Sequence, residues 1–95
     1  MPDNVDTIRT FAELRQFVHA QLCAKESLLD DQFETRETEL VMRGRTCGRQ
    51  YHLHGPRSIR LGAVWAGDQN QLYFYDTQGE RYSKLQLSHP ITDAA

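Results

Sequence analysis

Five arginines occupy one stretch of the chain, between positions 40 and 67, that contains no acidic residue. They are Arg43, Arg45, Arg49, Arg57 and Arg60. A guanidinium group is planar and donates parallel hydrogen bonds to phosphate or carboxylate oxygens, so arginine is suited to small anions and to nucleic acids. This arginine segment is therefore a candidate binding site for either class of ligand.

Acidic residues elsewhere in the chain offer a structural explanation for the same arginines. Segment 1–39 carries nine acidic and four basic residues, and segment 68–95 carries four acidic and two basic residues. An acidic connection consists of Glu26, Asp30, Asp31, Glu34 and Glu37. We expect it to neutralise the arginine segment in exposed ion pairs that each contribute little to stability. An open anion-binding patch is the alternative, although a formal charge of -2 removes the overall basic excess of a nonspecific nucleic-acid binder.

Three tyrosines near the C-terminal end, Tyr73, Tyr75 and Tyr82, are candidates for an interface or for stacking. Exposed aromatic side chains on a sheet stack on single-stranded bases, and tyrosine is enriched at protein interfaces. Cross-strand tyrosines also stabilise a hairpin without any ligand. The sequence favours this structural role over stacking on bases.

Two histidines and one cysteine are the candidate metal ligands. His52 and His54 are two residues apart on a predicted strand, so their side chains project from the same face. Cys47 is the nearest further donor, but a zinc site needs three or four ligands. We therefore expect neither a metal nor a cofactor. The sequence also lacks a nucleophile elbow, a phosphate-binding glycine loop and a Cys-x-x-Cys pair, so the chain is not expected to be an enzyme.

A helix is predicted near the N-terminus. The residues Thr10 to Glu13 fit the capping box, in which the threonine side chain accepts from the backbone three residues on and the glutamate reaches back. Apolar residues follow at helical spacing, namely Phe11, Leu14, Val18 and Leu22. The pattern predicts an amphipathic helix that ends at about Lys25.

From Thr38 onward, apolar and polar residues alternate, which is typical of strands. The predicted strands lie around Leu40 and Met42, around Tyr51 and Leu53, from Ile59 to Trp65, and in a hairpin of segments 72–75 and 81–87. Gly44 and Gly48 are predicted to bracket the first turn.

The register of the last hairpin decides where the tyrosines lie. A four-residue turn pairs Tyr73 with Tyr82 and places the three tyrosines on the face opposite Leu72 and Phe74. A three-residue loop with a glycine bulge shifts this pairing by one residue. We expect the first register, because it gives one face a continuous aliphatic set.

The predicted fold class is α+β, with one N-terminal helix packed on an antiparallel meander of four to five strands. A small, partly open β-barrel with the helix as a lid is the alternative. The chain has 95 residues, of which 39% are hydrophobic and 25% charged, as in an ordinary globular protein. We expect a single domain over 1–95, with an ordered core at about 8–88 and flexible tails at 1–7 and 89–95.

The sequence shows neither an apolar run of membrane-spanning length nor an N-terminal signal pattern, so we expect a soluble, cytoplasmic protein. The leading hypothesis is a non-catalytic protein-interaction or self-association module, with a homodimer as one form. The alternative is a nucleic-acid or small-anion binder that uses the arginine segment. A metal-binding protein that uses His52 and His54 is the second alternative.

Overall fold

A computed structural model describes residues 5–29 and 31–92. Asp30 of the acidic connection, and residues 1–4 and 93–95 of the predicted tails, lie outside the described residues. In chain order the elements are a short 3-10 helix (Val5–Thr7), helix α1 (Phe11–Lys25), strands β1 (Thr35–Met42) and β2 (Arg45–His54), a second 3-10 helix (Pro56–Ser58), and strands β3 (Arg60–Ala66), β4 (Gln71–Tyr75) and β5 (Arg81–Gln86).

The five strands form one antiparallel sheet in the order β1-β2-β3-β4-β5. Each strand therefore pairs with its neighbours in sequence, which is the predicted meander. The sheet is not closed into a barrel, so the α+β prediction is confirmed and the barrel alternative is not adopted. An open sheet has two faces, and α1 covers only one of them.

Helix α1 begins where the capping box predicts. The Thr10 hydroxyl accepts a hydrogen bond from the Glu13 backbone N–H (3.2 Å), and the Glu13 carboxylate accepts from the backbone N–H groups of Thr10 (3.1 Å) and Arg9 (2.9 Å). These hydrogen bonds, the one from Arg9 foremost, lower the pKa of Glu13. The helix ends at Lys25, as predicted, and Ser27 then adopts a left-handed conformation with φ of 56°.

The core lies between α1 and the face of the sheet that it covers, which we call the inner face. Leu14, Val18 and Leu22 of α1 are fully buried, as the spacing of the helical stripe requires. The sheet contributes the buried side chains Tyr51, Leu53, Leu61, Ala63, Leu72 and Phe74. At the start of α1, Phe11 packs edge to face on Trp65 with ring centroids 5.3 Å apart.

The β1–β2 hairpin differs from its prediction in one glycine. Arg43 and Gly44 form a two-residue turn, both with positive φ (55° and 78°), as a type I′ turn requires. Gly48 does not belong to the turn but lies within β2. A Cβ atom at this position would lie 2.2 Å from the Trp65 carbonyl oxygen, so glycine allows β2 and β3 to approach each other.

The β4–β5 hairpin adopts the three-residue loop that the sequence left as the alternative. The Asp76 N–H donates to the Glu80 carbonyl (2.9 Å), the Gly79 N–H donates to the Asp76 carbonyl (3.0 Å), and Gly79 has φ of 81°. The predicted pairing of Tyr73 with Tyr82 is therefore wrong. Tyr73 lies opposite Lys84.

A β-bulge at Tyr82 adds a second shift to the same hairpin. Tyr75 lies opposite Arg81, whereas Phe74 lies opposite Ser83, so Tyr82 is the extra residue of β5. The loop and the bulge each displace the register by one residue, and together they restore the alternation of faces. The predicted inward direction of Phe74, which follows from its alternation with Leu72 along β4, is correct although its predicted partner is not.

Candidate functional site

The face of the sheet opposite α1, which we call the open face, is not covered by any element of the described chain. Its members follow from strand register and from the alternation of side chains along each strand. They are Arg36, Thr38, Leu40, Met42, Arg45, Gly48, Gln50, His52, His54, Arg60, Gly62, Val64, Ala66, Gln71, Tyr73, Tyr75, Arg81, Lys84 and Gln86.

The open face is basic. Four exposed basic side chains, those of Arg36, Arg60, Arg81 and Lys84, lie on the body of this face, and a fifth, that of Arg45, lies next to the hairpin tip. The strand residues of the face include neither aspartate nor glutamate. Acidic residues lie at its border instead: Glu34 lines a depression together with Arg36 and His52, and Asp76, whose carboxylate accepts hydrogen bonds from the backbone N–H groups of Gln78 (2.9 Å) and Glu80 (3.0 Å), lines another. A chain with a formal charge of -2 therefore has one face that attracts anions.

Tyr73 lies in the middle of this basic surface. The Arg81 guanidinium carbon is 5.1 Å from its ring centroid, and the Lys84 ammonium nitrogen is 5.9 Å away. Its hydroxyl donates a hydrogen bond of 2.6 Å to the Gln71 side chain. The ring is thus held next to two cations that it attracts through its π face.

Tyr75 borders a depression of about 380 Å³ on the same face. Gly62 lies directly opposite Tyr75 on β3, and the absence of a side chain there leaves the sheet backbone accessible. Gln50 and His52 line the other side of the depression. The result is a shallow space between an aromatic ring and two side chains that form hydrogen bonds.

The arginine segment does not form a single patch. Arg43 and Arg45 lie at the β1–β2 hairpin tip, whereas Arg57 and Arg60 lie beyond the other end of β2. Ten strand residues span about 30 Å, so these two pairs are too far apart to bind one small anion. Of the five arginines, Arg45 and Arg60 lie on strands of the open face, at its opposite ends.

Arg49 lies on the inner face and is neutralised there. Its guanidinium group is 3.2 Å from the Glu37 carboxylate and 3.9 Å from that of Glu39, and it stacks over the Phe11 ring at 3.8 Å. The predicted neutralisation therefore holds for Arg49, through one member of the acidic connection and through Glu39. The structure records no ion pair from the other four arginines to the described acidic residues.

Tyr82 is separated from the other two tyrosines. The bulge turns its ring toward the inner face, 6.1 Å from Phe74 and 4.6 Å from the Lys25 ammonium group. Burial, followed by Asp76 and Glu26, raises the pKa of Tyr82. The expectation that three tyrosines share one face is therefore wrong, because the expected register contained no bulge.

His52 and His54 lie on the open face, as their spacing predicts, but Cys47 does not join them. Cys47 is five residues from His52 along β2, a distance of about 17 Å. Arg36 lies directly opposite His52, and its positive charge disfavours a cation at this position. Among the described residues no group of three or more potential ligands is arranged to hold a metal ion.

A pair of side chains that the sequence reading missed lies between α1 and β1. His19 Nε2 is 3.6 Å from Cys23 Sγ, and His19 Nδ1 is 2.7 Å from Thr35 Oγ1. The spacing of four residues on a helix is the signal that would have found the His19 and Cys23 pair. Cys23 is only 3% exposed, so a substrate cannot reach the thiol while the core is closed.

Sequence signals for the three basic residues that join Arg60 on the open face were partly present. Lys84 directly precedes Leu85 in β5, and Arg81 begins that strand. Arg36 precedes Thr38, where the strand pattern becomes visible in the sequence. These residues belong to different charge segments, and only the pairing of the strands brings them to one face.

Comparisons of the chain with protein-family models, with curated proteins and with solved structures find no match. In the described part of the chain, no helix has both the length and the apolar composition needed to cross a bilayer. The function is therefore inferred from the charge and shape of the surfaces.

Proposed function

We propose that this chain is a non-catalytic binding module whose open face binds an anionic macromolecule. The observation that carries this proposal is the presence of four exposed bases, with no acidic strand residue, on a face that no described element covers. Basic surfaces of this kind attract polyanions over a Debye length and release counterions when they bind.

The positions of the basic side chains favour a broad contact with an extended anion over the binding of one small anion in a pocket. Arg36 is on the edge strand β1, Arg60 is on the central strand β3, and Arg81 and Lys84 are on the other edge strand β5. Neighbouring strands are about 4.8 Å apart, so these bases spread over about 20 Å across the sheet. A flexible polyanion can contact all four, whereas a single phosphate cannot.

Elution from a heparin column tests the proposal, because heparin is a polyanion that contains no nucleobases. The double variant Arg81→Gln/Lys84→Gln is expected to elute at a clearly lower salt concentration than the unmodified protein. The matched control is Arg15→Gln/Lys25→Gln, which removes the same charge from exposed positions of helix α1, on the other side of the sheet. Equal shifts for the two variants, or no retention of the unmodified protein at low salt, would contradict the proposal.

Self-association is a second candidate function, and a different observation favours it. Val41 and Met42 are 63% and 65% exposed and follow each other on the edge strand β1, one side chain on each face of the strand. Exposed apolar residues on an edge strand are suited to pairing with a second copy. Light scattering across a range of protein concentrations should then show a dimer that the variant Val41→Ser/Met42→Ser does not form, and a monomer at all concentrations would refute this candidate.

A further inference from the structure

We infer, on the basis of the proposed function, that the anionic partner is a single-stranded nucleic acid whose bases stack on Tyr75 and Tyr73. The open face offers two kinds of contact side by side. Its basic side chains are suited to phosphates, and its two tyrosines, with the depression at Gly62, are suited to flat aromatic rings.

The spacing of the two tyrosines matches that of neighbouring bases that have separated from each other. Tyr73 and Tyr75 are two residues apart on β4, so their Cα atoms are about 7 Å apart. This distance is about twice the rise of 3.4 Å per nucleotide in a stacked strand. One base can therefore lie on each ring if the two bases are unstacked, as they are in protein complexes with single strands.

Tyr75 is the better platform of the two. The structure records no ring or cation contact for its ring among the described residues, whereas Tyr73 already lies beside Arg81 and Lys84. The depression next to Tyr75 is lined by Gly62, Gln50, His52 and Asp76. A base in this depression would lie against the sheet, with amide and imidazole groups at its edge.

Basic side chains of the protein flank the tyrosines on both sides. β4 lies between β3 and β5, so Arg60 lies on one side of the tyrosines and Arg81 and Lys84 lie on the other. A strand that runs over β4 can therefore place its phosphates near cations on either side. A duplex cannot do the same, because its bases are already stacked and paired. An acidic protein segment would use the cations but would leave the rings and the depression without a partner.

Fluorescence anisotropy with labelled oligonucleotides tests this inference. The probes are a single-stranded 12-mer, the same sequence as a duplex, an abasic 12-mer with the same phosphates, and polyglutamate of similar charge. We expect the single strand to bind about tenfold or more tightly than the abasic strand, because stacking adds to the phosphate contacts. With up to four phosphate contacts, the slope of log K against log salt should approach about -3.

Three variants separate stacking from charge. Tyr75→Ser should weaken binding of the single strand about tenfold and leave binding of the abasic strand unchanged. Gly62→Val should have the same selective effect, since it fills the depression without altering the charge; a Cβ at Gly62 comes no closer than 3.4 Å to the Tyr51 carbonyl oxygen. Tyr82→Ser is the matched control on the inner face and should change neither affinity in protein that circular dichroism shows to be folded.

The outcomes distinguish this inference from the proposed function. Equal affinity for the single strand and the abasic strand, tighter binding of the duplex, or equal binding of polyglutamate would overturn the inference while the heparin result still supports an anion-binding face. Failure of heparin and of all four probes would overturn both. A loss with Tyr82→Ser as large as that with Tyr75→Ser would also refute the assignment of the open face.

Discussion

Replacing Arg49 with glutamine tests the distinction between the neutralised arginine and those that remain exposed. Only 17% of the Arg49 side chain is exposed, and the same is true of its partner Glu37, to which the guanidinium group is 3.2 Å away. The guanidinium carbon also lies 3.8 Å from the centroid of the Phe11 ring. Arg49→Gln removes both contacts and leaves Glu37 with the more distant Arg15 at 3.8 Å.

The size of the effect follows from these contacts. An exposed ion pair contributes about 0.2 to 1 kcal/mol, breaking a buried one costs about 3 to 5 kcal/mol, and a cation over an aromatic ring contributes about 0.5 to 1 kcal/mol. Water still reaches part of the Arg49 and Glu37 pair and screens it, so we expect a loss of about 2 kcal/mol in the free energy of unfolding. For a domain of this size, that loss lowers Tm by roughly 8 to 16 °C.

Urea denaturation followed by circular dichroism measures this loss. The matched control is Arg60→Gln, because Arg60 is exposed on the open face and its replacement should cost less than about 0.5 kcal/mol. A double-mutant cycle with Glu37→Gln should show a coupling energy of about 1 kcal/mol with Arg49. Equal losses for the two arginine variants, or no coupling to Glu37, would refute the assignment of Arg49 to a structural role.

Three further predictions concern the core, the last turn and the response to pH. Leu14→Ala should reduce the free energy of unfolding by about 2 to 4 kcal/mol because Leu14 is fully buried, whereas Arg15→Ala should have almost no effect; similar small losses in urea denaturation would contradict the helix packing. Gly79→Val should lower Tm more than Gly79→Asn, because Gly79 has φ of 81° and asparagine tolerates this region better than a β-branched residue; equal melting temperatures would exclude the turn. Burial, followed by the Glu37 carboxylate, raises the pKa of Tyr51 above 10.0, so the unfolded chain loses its proton first as pH rises. The resulting stability is fully present below pH 10 and declines above it by up to about 1.4 kcal/mol per pH unit, and titration of urea stability should show a shallower decline for Tyr51→Phe.

Local signals were sufficient to predict the helix and the order of the strands. The capping box at Thr10 and Glu13 and the apolar spacing that follows are contacts within one helical turn, so the sequence contains both partners of each interaction. The meander follows from short turns, since strands joined by such turns pair with their neighbours in sequence. The inward direction of Phe74 was also predictable, because side chains alternate along β4 and Phe74 shares a face with Leu72.

Register and bulges depended on the tertiary structure. Gly48 reads as a turn glycine in the sequence, but its position is set by the approach of Trp65 from the next strand. Tyr82 reads as a member of one tyrosine face, but the bulge turns it toward Phe74 and Lys25. A bulge depends on how two strands pack on the helix beneath them, and no local pattern in β5 specifies it.

The candidate site shows the same division. The residue types that suit an anionic partner, arginine and tyrosine, were visible in the sequence, and Arg60, Tyr73 and Tyr75 remain in the site that the structure supports. Sequence proximity grouped Arg60 with Arg43 and Arg45, which an extended strand then separates by about 30 Å. The sequence alone therefore determined which residue types are present and which elements contain them. Only the tertiary structure decided which side chains share a face, because strand pairing brings together residues that are distant in sequence and alternation places neighbours on opposite sides of the sheet.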